Sequence, residues 1–287
     1  MKFKEWFTER VLGGRCTGVS GWNGMVFEGK ETLLGVVRTE AGRFFEMVDS
    51  DDVWDAPTGA GHWQVRDVVA HIADTTEAYF VAFDAARAHE EVPPAYGLPG
   101  MAERVDKQAR ALRSVPRAEL VERLRGDFDK MMEIFDALGP EEWGGFNVPH
   151  FYMGPLPSFF FPAFRLMDYG VHSWDIRQGT GRAHGLSGDA ADLLVPFMFV
   201  LWKYTTGAKD PCELGIRITS GPNAGDTLVR VGSDGMDYEP GDVTGLPTVL
   251  EFDPGSFVLT AFGRSNAGTI RGDRAVADRY LNLFFRI

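Results

Sequence analysis

Apolar residues recur at Leu33, Leu34, Val37, Ala41, Phe44, Phe45 and Val48. This spacing, close to 3.6 residues, gathers them on one side of a helix and predicts a first amphipathic helix from Glu28 to Val48. Val65, Val68, Val69, Ile72, Tyr79 and Phe80 form the stripe of a second, which starts near Trp63-Gln64 and carries His71. A polar helix follows from Met101 to Arg113. Leu120, Leu124, Phe128, Met131, Met132, Phe135 and Leu138 predict another, opened by Pro116 and stopped by Gly139-Pro140. Glu141 to Phe160 reads as a long aromatic loop, and long loops of this kind are usually functional or mobile. A helix from about Pro162 to Gln178 bears Asp168 and His172. Four long amphipathic helices are enough to build the core of a bundle.

Ser187 has the character of an N-cap for a further helix, Gly188 to Tyr204. The pattern then changes period. Leu214 to Ile218 and Thr227 to Val231 alternate like half-buried strands around the turn residues 220–226, and Thr248 to Phe252 reads as a third strand. Phe257 to Phe262 is a helical turn and Ala275 to Phe284 a closing helix. The predicted fold class is therefore α+β. An N-terminal arm (residues 1–24) leads into a helical bundle (25–185), followed by a small α+β domain (186–287).

Composition narrows the function. The chain has 287 residues, 44% of them hydrophobic, and a formal net charge of -12. An acidic chain with no basic patch argues against nucleic acid as a partner. The longest apolar runs, Leu156–Phe164 and Leu193–Tyr204, are too short to span a bilayer. Met1 to Glu9 lacks the apolar run of a signal peptide. Cys16 and Cys212 belong to no Cys-x-x-Cys pair or disulfide framework, which fits a reducing cytoplasmic setting.

The candidate chemistry lies in Asp168, His172 and His71. Residues four apart share a helix face, so Asp168 and His172 can grip one divalent ion from the same side. His71 on a facing helix completes a set of three ligands. Three protein ligands with a fourth position open is the pattern of a catalytic zinc site. The spacing alone is weak, because Asp/His pairs also decorate solvated helix faces, and a lone His on an apolar face is more often a hydrogen-bonded core residue.

The surrounding residues carry a resemblance. Trp63-Gln64-Val65-Arg66-Asp67-Val68-Val69-Ala70-His71-Ile72 resembles the first metal-ligand motif of DinB/YfiT-like bundles. Asp168-Tyr169-Gly170-Val171-His172-Ser173-Trp174-Asp175 resembles the second. Leu259 to Arg264, with Gly272-Asp273, is similar to a C-terminal signature of the mycothiol-dependent maleylpyruvate isomerase family. The resemblance extends in order from about residue 28 to 287. It implies a DinB-like four-helix bundle and a sterol-carrier-protein-like α+β domain. It also implies a divalent metal, zinc above all, held by His71, Asp168 and His172, and mycothiol or a similar low-molecular-weight thiol as cosubstrate. Asp67 and Asp175 are placed to orient the imidazoles, and Arg264 to pair with a substrate carboxylate. The family usually has Glu where this chain has Asp168, which draws the carboxylate back by about 1.5 Å and calls for a closer helix approach.

These residues admit three classes of function. One is a thiol-dependent enzyme acting on a small electrophile, by cis–trans isomerisation through an adduct or by S-transfer. Another is a metal-dependent hydrolase on the same bundle. The third is a non-catalytic binding protein for an apolar ligand. Neither the electrophile nor the oligomeric state can be read from the chain.

Overall fold

The computed structural model describes residues 20–182, 185–207 and 210–283. Most of the expected arm, with Cys16, lies outside the described residues, as do His184 and the end of the closing helix. The chain divides into two compact units, one of residues 30–185 and one in which residues 20–29 join the chain from Leu186 onward. Asn223 makes that second grouping concrete, since its amide donates to Trp22 O (3.0 Å) and to Asp192 O (2.8 Å).

The helical unit contains α1 (Lys30–Val48), α2 (Val65–Ala88), α3 (Met101–Ala111), α4 (Arg117–Ala137), the short α5 (Pro140–Gly145) and α6 (Phe160–Gly179). The apolar stripes read from the sequence are buried: Leu33, Val37 and Phe44 of α1, Val68, Val69 and Ile72 of α2, and Leu120, Leu124 and Phe135 of α4 are all at most 2% exposed, and Phe44, Val68, Val69, Ile72, Leu120 and Leu124 share one core cluster. α1 packs on α6, and α2 packs on α3, α4 and α6. α6 is buried on every side from Phe160 to Leu166 and again from Asp168 to Ile176. A helix buried all round belongs in the centre of its unit, so a polar side chain on α6 costs free energy unless it finds a partner inside the protein. Arg165, Asp168, His172 and Asp175 do, whereas the Tyr169 and Ser173 hydroxyls have no hydrogen-bond partner among the described residues.

Glu141 to Phe160 differs from the loop its sequence predicts. It folds into α5 and a hairpin of β1 (Asn147–His150) and β2 (Gly154–Pro157), paired antiparallel. Neither four-residue strand is long enough to show a period. Proline occurs in both, at Pro149, Pro155 and Pro157, and such residues are tolerated only where a strand has no further neighbour to pair with.

The second unit begins with α7 (Gly188–Thr205). It continues with β3 (Cys212–Ile218), β4 (Gly225–Gly232), β5 (Gly235–Pro240), β6 (Thr248–Phe252), α8 (Pro254–Ala261), β7 (Thr269–Gly272) and α9 (Arg274–Leu281). Its sheet runs β5-β4-β3-β6-β7, with β3 and β6 parallel and the other pairs antiparallel. Leu214, Ile216, Val229 and Leu250 are fully buried. Phe257 of α8 packs against Phe199 and Trp202 of α7 (ring centroids 5.0 and 4.9 Å), and Trp202 against Tyr280 of α9 (5.9 Å). The fold is α+β, helices first and a sheet after. No helix among the described residues is long and apolar enough to cross a membrane.

Candidate metal centre

On α6, Arg165, Asp168, His172 and Asp175 succeed one another at intervals of three, four and three. They form one polar seam along an otherwise apolar helix. His71 meets this seam from α2. One ligand atom from each of His71, Asp168 and His172 lies within 4.8 Å of the others. His71 Nε2 is 3.8 Å from Asp168 Oδ1, near the roughly 3.4 Å that separates two ligands on a tetrahedral zinc.

Each ligand is set by its surroundings. Asp175 Oδ2 lies 2.9 Å from His172 Nδ1, which leaves Nε2 of that ring for an ion. A carboxylate behind a ligating imidazole fixes its tautomer and raises its basicity. Arg165 Nη2 lies 2.5 Å from Asp168 Oδ2, so one oxygen is taken and the other, Oδ1, faces His71. Burial alone pushes the Asp168 carboxyl up, but Arg165 and His71 outweigh it and hold it at about 2. Burial also keeps His71 below the ordinary imidazole range, against the pull of Asp168. A neutral imidazole and an ionised carboxylate are the forms that bind a metal.

The residues therefore fit a divalent ion. His71 Nδ1 is buried without a hydrogen-bond partner among the described residues, and the other ring nitrogen, Nε2, is turned on the Asp168 carboxylate. With Arg165 positive and Asp168 and Asp175 negative, two neutral histidines leave the cluster one charge negative. Trp63 walls the centre, its ring 5.2 Å from His71 and 6.1 Å from His172. The same Trp63 lines a depression of about 470 Å³ whose cations are already paired, Arg113 with Asp67 and both His62 and Arg110 with Asp106.

The other predicted residues fall in different places. Asp67 accepts from Gln64 N–H (2.9 Å) and from Arg113 (2.6 and 2.7 Å). It caps α2 and anchors Arg113, and Asp175 is the one of the two acids found on an imidazole. Arg264 follows α8 in the second unit, where its Nη1 donates to Phe262 O (3.1 Å). His150 ends β1, packed against Phe164 (5.1 Å) and Tyr79 (6.1 Å), and burial, reinforced by Arg165, lowers it to about 4.

Arg165 escaped the sequence reading. Its side chain is 2% exposed, and besides Asp168 it donates to Thr76 Oγ1 (2.8 Å) and Thr75 Oγ1 (3.0 Å). Extending the Asp168/His172 period backwards by one turn would have found it, as a lone cation in the run Phe159–Leu166.

Comparison with known proteins agrees with the fold. Crystal structures of the mycothiol-dependent maleylpyruvate isomerase, and of a histidine-to-alanine mutant of it, share the fold. Each has a TM-score of 0.57 and 14% identity, over 84% of this chain and 92% of that chain. No curated protein matches. Residues 34–177 match the family model for the mycothiol maleylpyruvate isomerase N-terminal domain. That match covers half of the chain and takes in His71, Asp168, His172 and Asp175, and the chain belongs to that family.

Proposed function

We propose that the protein is an enzyme that joins a low-molecular-weight thiol of the mycothiol type to a small electrophile, with a divalent metal, zinc first, held by His71, Asp168 and His172. The family and the solved structures point to cis–trans isomerisation of a maleylpyruvate-like acid, with S-transfer as the variant in which the thiol stays attached. The observation that carries this reading is the convergence of two imidazoles and a carboxylate within 4.8 Å on two packed helices, with no structural hydrogen bond to account for His71 Nδ1.

When bound, the ion supplies a Lewis-acid position at which a thiol, with an ordinary pKa near 8.5, becomes a thiolate at neutral pH. The chain's own residues do the rest. Asp175 holds the His172 ring with Nε2 presented. Arg165 keeps Asp168 ionised with Oδ1 turned to the site. Trp63 covers one side of both imidazoles and excludes water there. By the family resemblance alone, Arg264 is the residue proposed to pair with a carboxylate of the substrate, the role for which a bidentate fork is suited.

The experiment is an assay of the zinc-loaded protein on maleylpyruvate with and without mycothiol. Isomerisation that needs both metal and thiol is the expected result, and thiol-independent hydrolysis would replace this reading. Arg264→Lys lowers turnover with metal content unchanged if Arg264 has this role.

A further inference from the structure

Arg104 stands apart from most arginines of the helical unit. Arg38, Arg43, Arg66, Arg87, Arg110, Arg113, Arg117, Arg123, Arg125 and Arg165 all hold a carboxylate within 4.0 Å. Arg104 has no such partner among the described residues. Its guanidinium instead lies over the ring of Tyr96, 4.6 Å from the centroid. It is half-buried on α3, beside the fully buried face marked by Val105 and Ala109. A half-buried guanidinium with no carboxylate within ion-pair distance among the described residues keeps donors free to bind an anion.

Its place relative to the metal centre follows from two tracks of contacts within this unit. Along α2, Asp74 lies one turn beyond His71, about 5 Å further along the helix axis, and is near enough to feel the charges of both His71 and Arg104. Asp74 and Arg104 make no ion pair with each other. Along the hairpin, Tyr96 is tied down by its N–H donating to Phe151 O (2.7 Å) and packs on Tyr152 (6.3 Å). Tyr152 then packs on His150 (5.9 Å) and His150 on Phe164 (5.1 Å), the neighbour of Arg165 on α6. Tyr152 thus shares Tyr96 with Arg104, and its hydroxyl feels the Arg104 charge, which pulls it down against burial. Both tracks join Arg104 to the helices that carry the three ligands.

We infer that Arg104 and the Tyr152 hydroxyl form an anion subsite beside the metal centre that receives a carboxylate of the electrophile. This rests on the proposed enzymatic reading and names the residues that would hold a carboxylate of its acid substrate. The guanidinium offers the fork for two carboxylate oxygens, Tyr96 beneath it fixes its plane, and the tyrosine hydroxyl supplies a further donor. An uncharged electrophile gains nothing from this arrangement.

The test is calorimetric titration of maleate into the full-length protein, both stripped of metal with chelator and loaded with zinc. Maleate binds the metal-free wild type, and Arg104→Gln weakens it about tenfold or more. Arg104→Lys falls between, and Tyr152→Phe, which removes one hydroxyl, weakens it by a smaller factor. Zinc uptake and melting temperature of the variants stay close to wild type. Unchanged maleate affinity in Arg104→Gln overturns the inference, as do absence of maleate binding to the wild type and equal binding of dimethyl maleate. A carboxylate-bearing thiol, glutathione, is the second arm: weakening of glutathione with maleate unchanged assigns the subsite to the thiol and also overturns it. Failure of the metal-and-thiol reading is distinguishable, because it appears as zinc that is not taken up while maleate binding still depends on Arg104.

Discussion

At the residue scale the centre is a chain of dependences: Arg165 sets Asp168, Asp175 sets His172, and burial sets His71. Asp168→Asn removes the only charge among the three ligands and leaves Arg165 buried without its counter-ion. Its zinc affinity drops more than about a hundredfold, whereas Asp175→Asn, which only loosens the His172 ring, costs about 10–100-fold. Competition titration against a chromogenic chelator measures both. His150 makes a separate prediction in metal-free protein. Its folded pKa lies at about 4 against an ordinary 6.5. The unfolded chain therefore takes up a proton first as pH falls, and stability rises with pH across that window. The contribution is fully present above pH 6.5 and up to about 3 kcal/mol is lost by pH 4. His150→Phe flattens the dependence of melting temperature on pH without abolishing it, because His71 is shifted in the same direction.

At the element scale, the loop before α2 is what seats the C-terminal end of α6. Gly59 N–H donates to Asp175 O (2.8 Å), and a Cβ on Gly179 would lie 1.9 Å from Pro57 O. Gly179→Ala must push this loop off the helix, and it destabilises the protein by several kcal/mol. Gly126, exposed on α4 with open space around it, is the control: Gly126→Ala stabilises by about 0.5–1 kcal/mol. Urea denaturation measures both. The long helices were legible because their stripes repeat over several turns. α2 runs on to Ala88, beyond the Phe80 where the sequence reading left its stripe: Phe83, three residues on, continues the period and is 2% exposed, with Ala82 and Ala85 buried beside it. β5 and β7 were not legible. β5 buries only Met236 and β7 buries nothing, so neither alternates in the way that marks a half-buried strand.

For the whole molecule, a ligand that binds only the folded helical unit raises its stability by mass action. Zinc at a thousandfold excess over its Kd adds about 4 kcal/mol, which for a unit of this size raises the melting temperature by on the order of 10 °C. Calorimetry with zinc and then with chelator measures it, and the shift is absent in His172→Ala. The sequence by itself determined the change from helical to strand period near residue 207, the α+β class, and which residues, His71, Asp168 and His172, form the candidate ligand set. Each of these is written in local spacing, or in motifs that occupy neighbouring residues. Only the tertiary structure decided what those residues touch. It gave Asp67 to Arg113 and Asp175 to His172, although both acids sit one turn or less from a ligand histidine. It brought Arg165 against Asp168, folded residues 147–157 into a hairpin, and left Arg104 with no carboxylate within ion-pair distance among the described residues. Spacing along a chain fixes which face of a helix a side chain lies on, but the partner across that face comes from a distant segment, and only packing selects it.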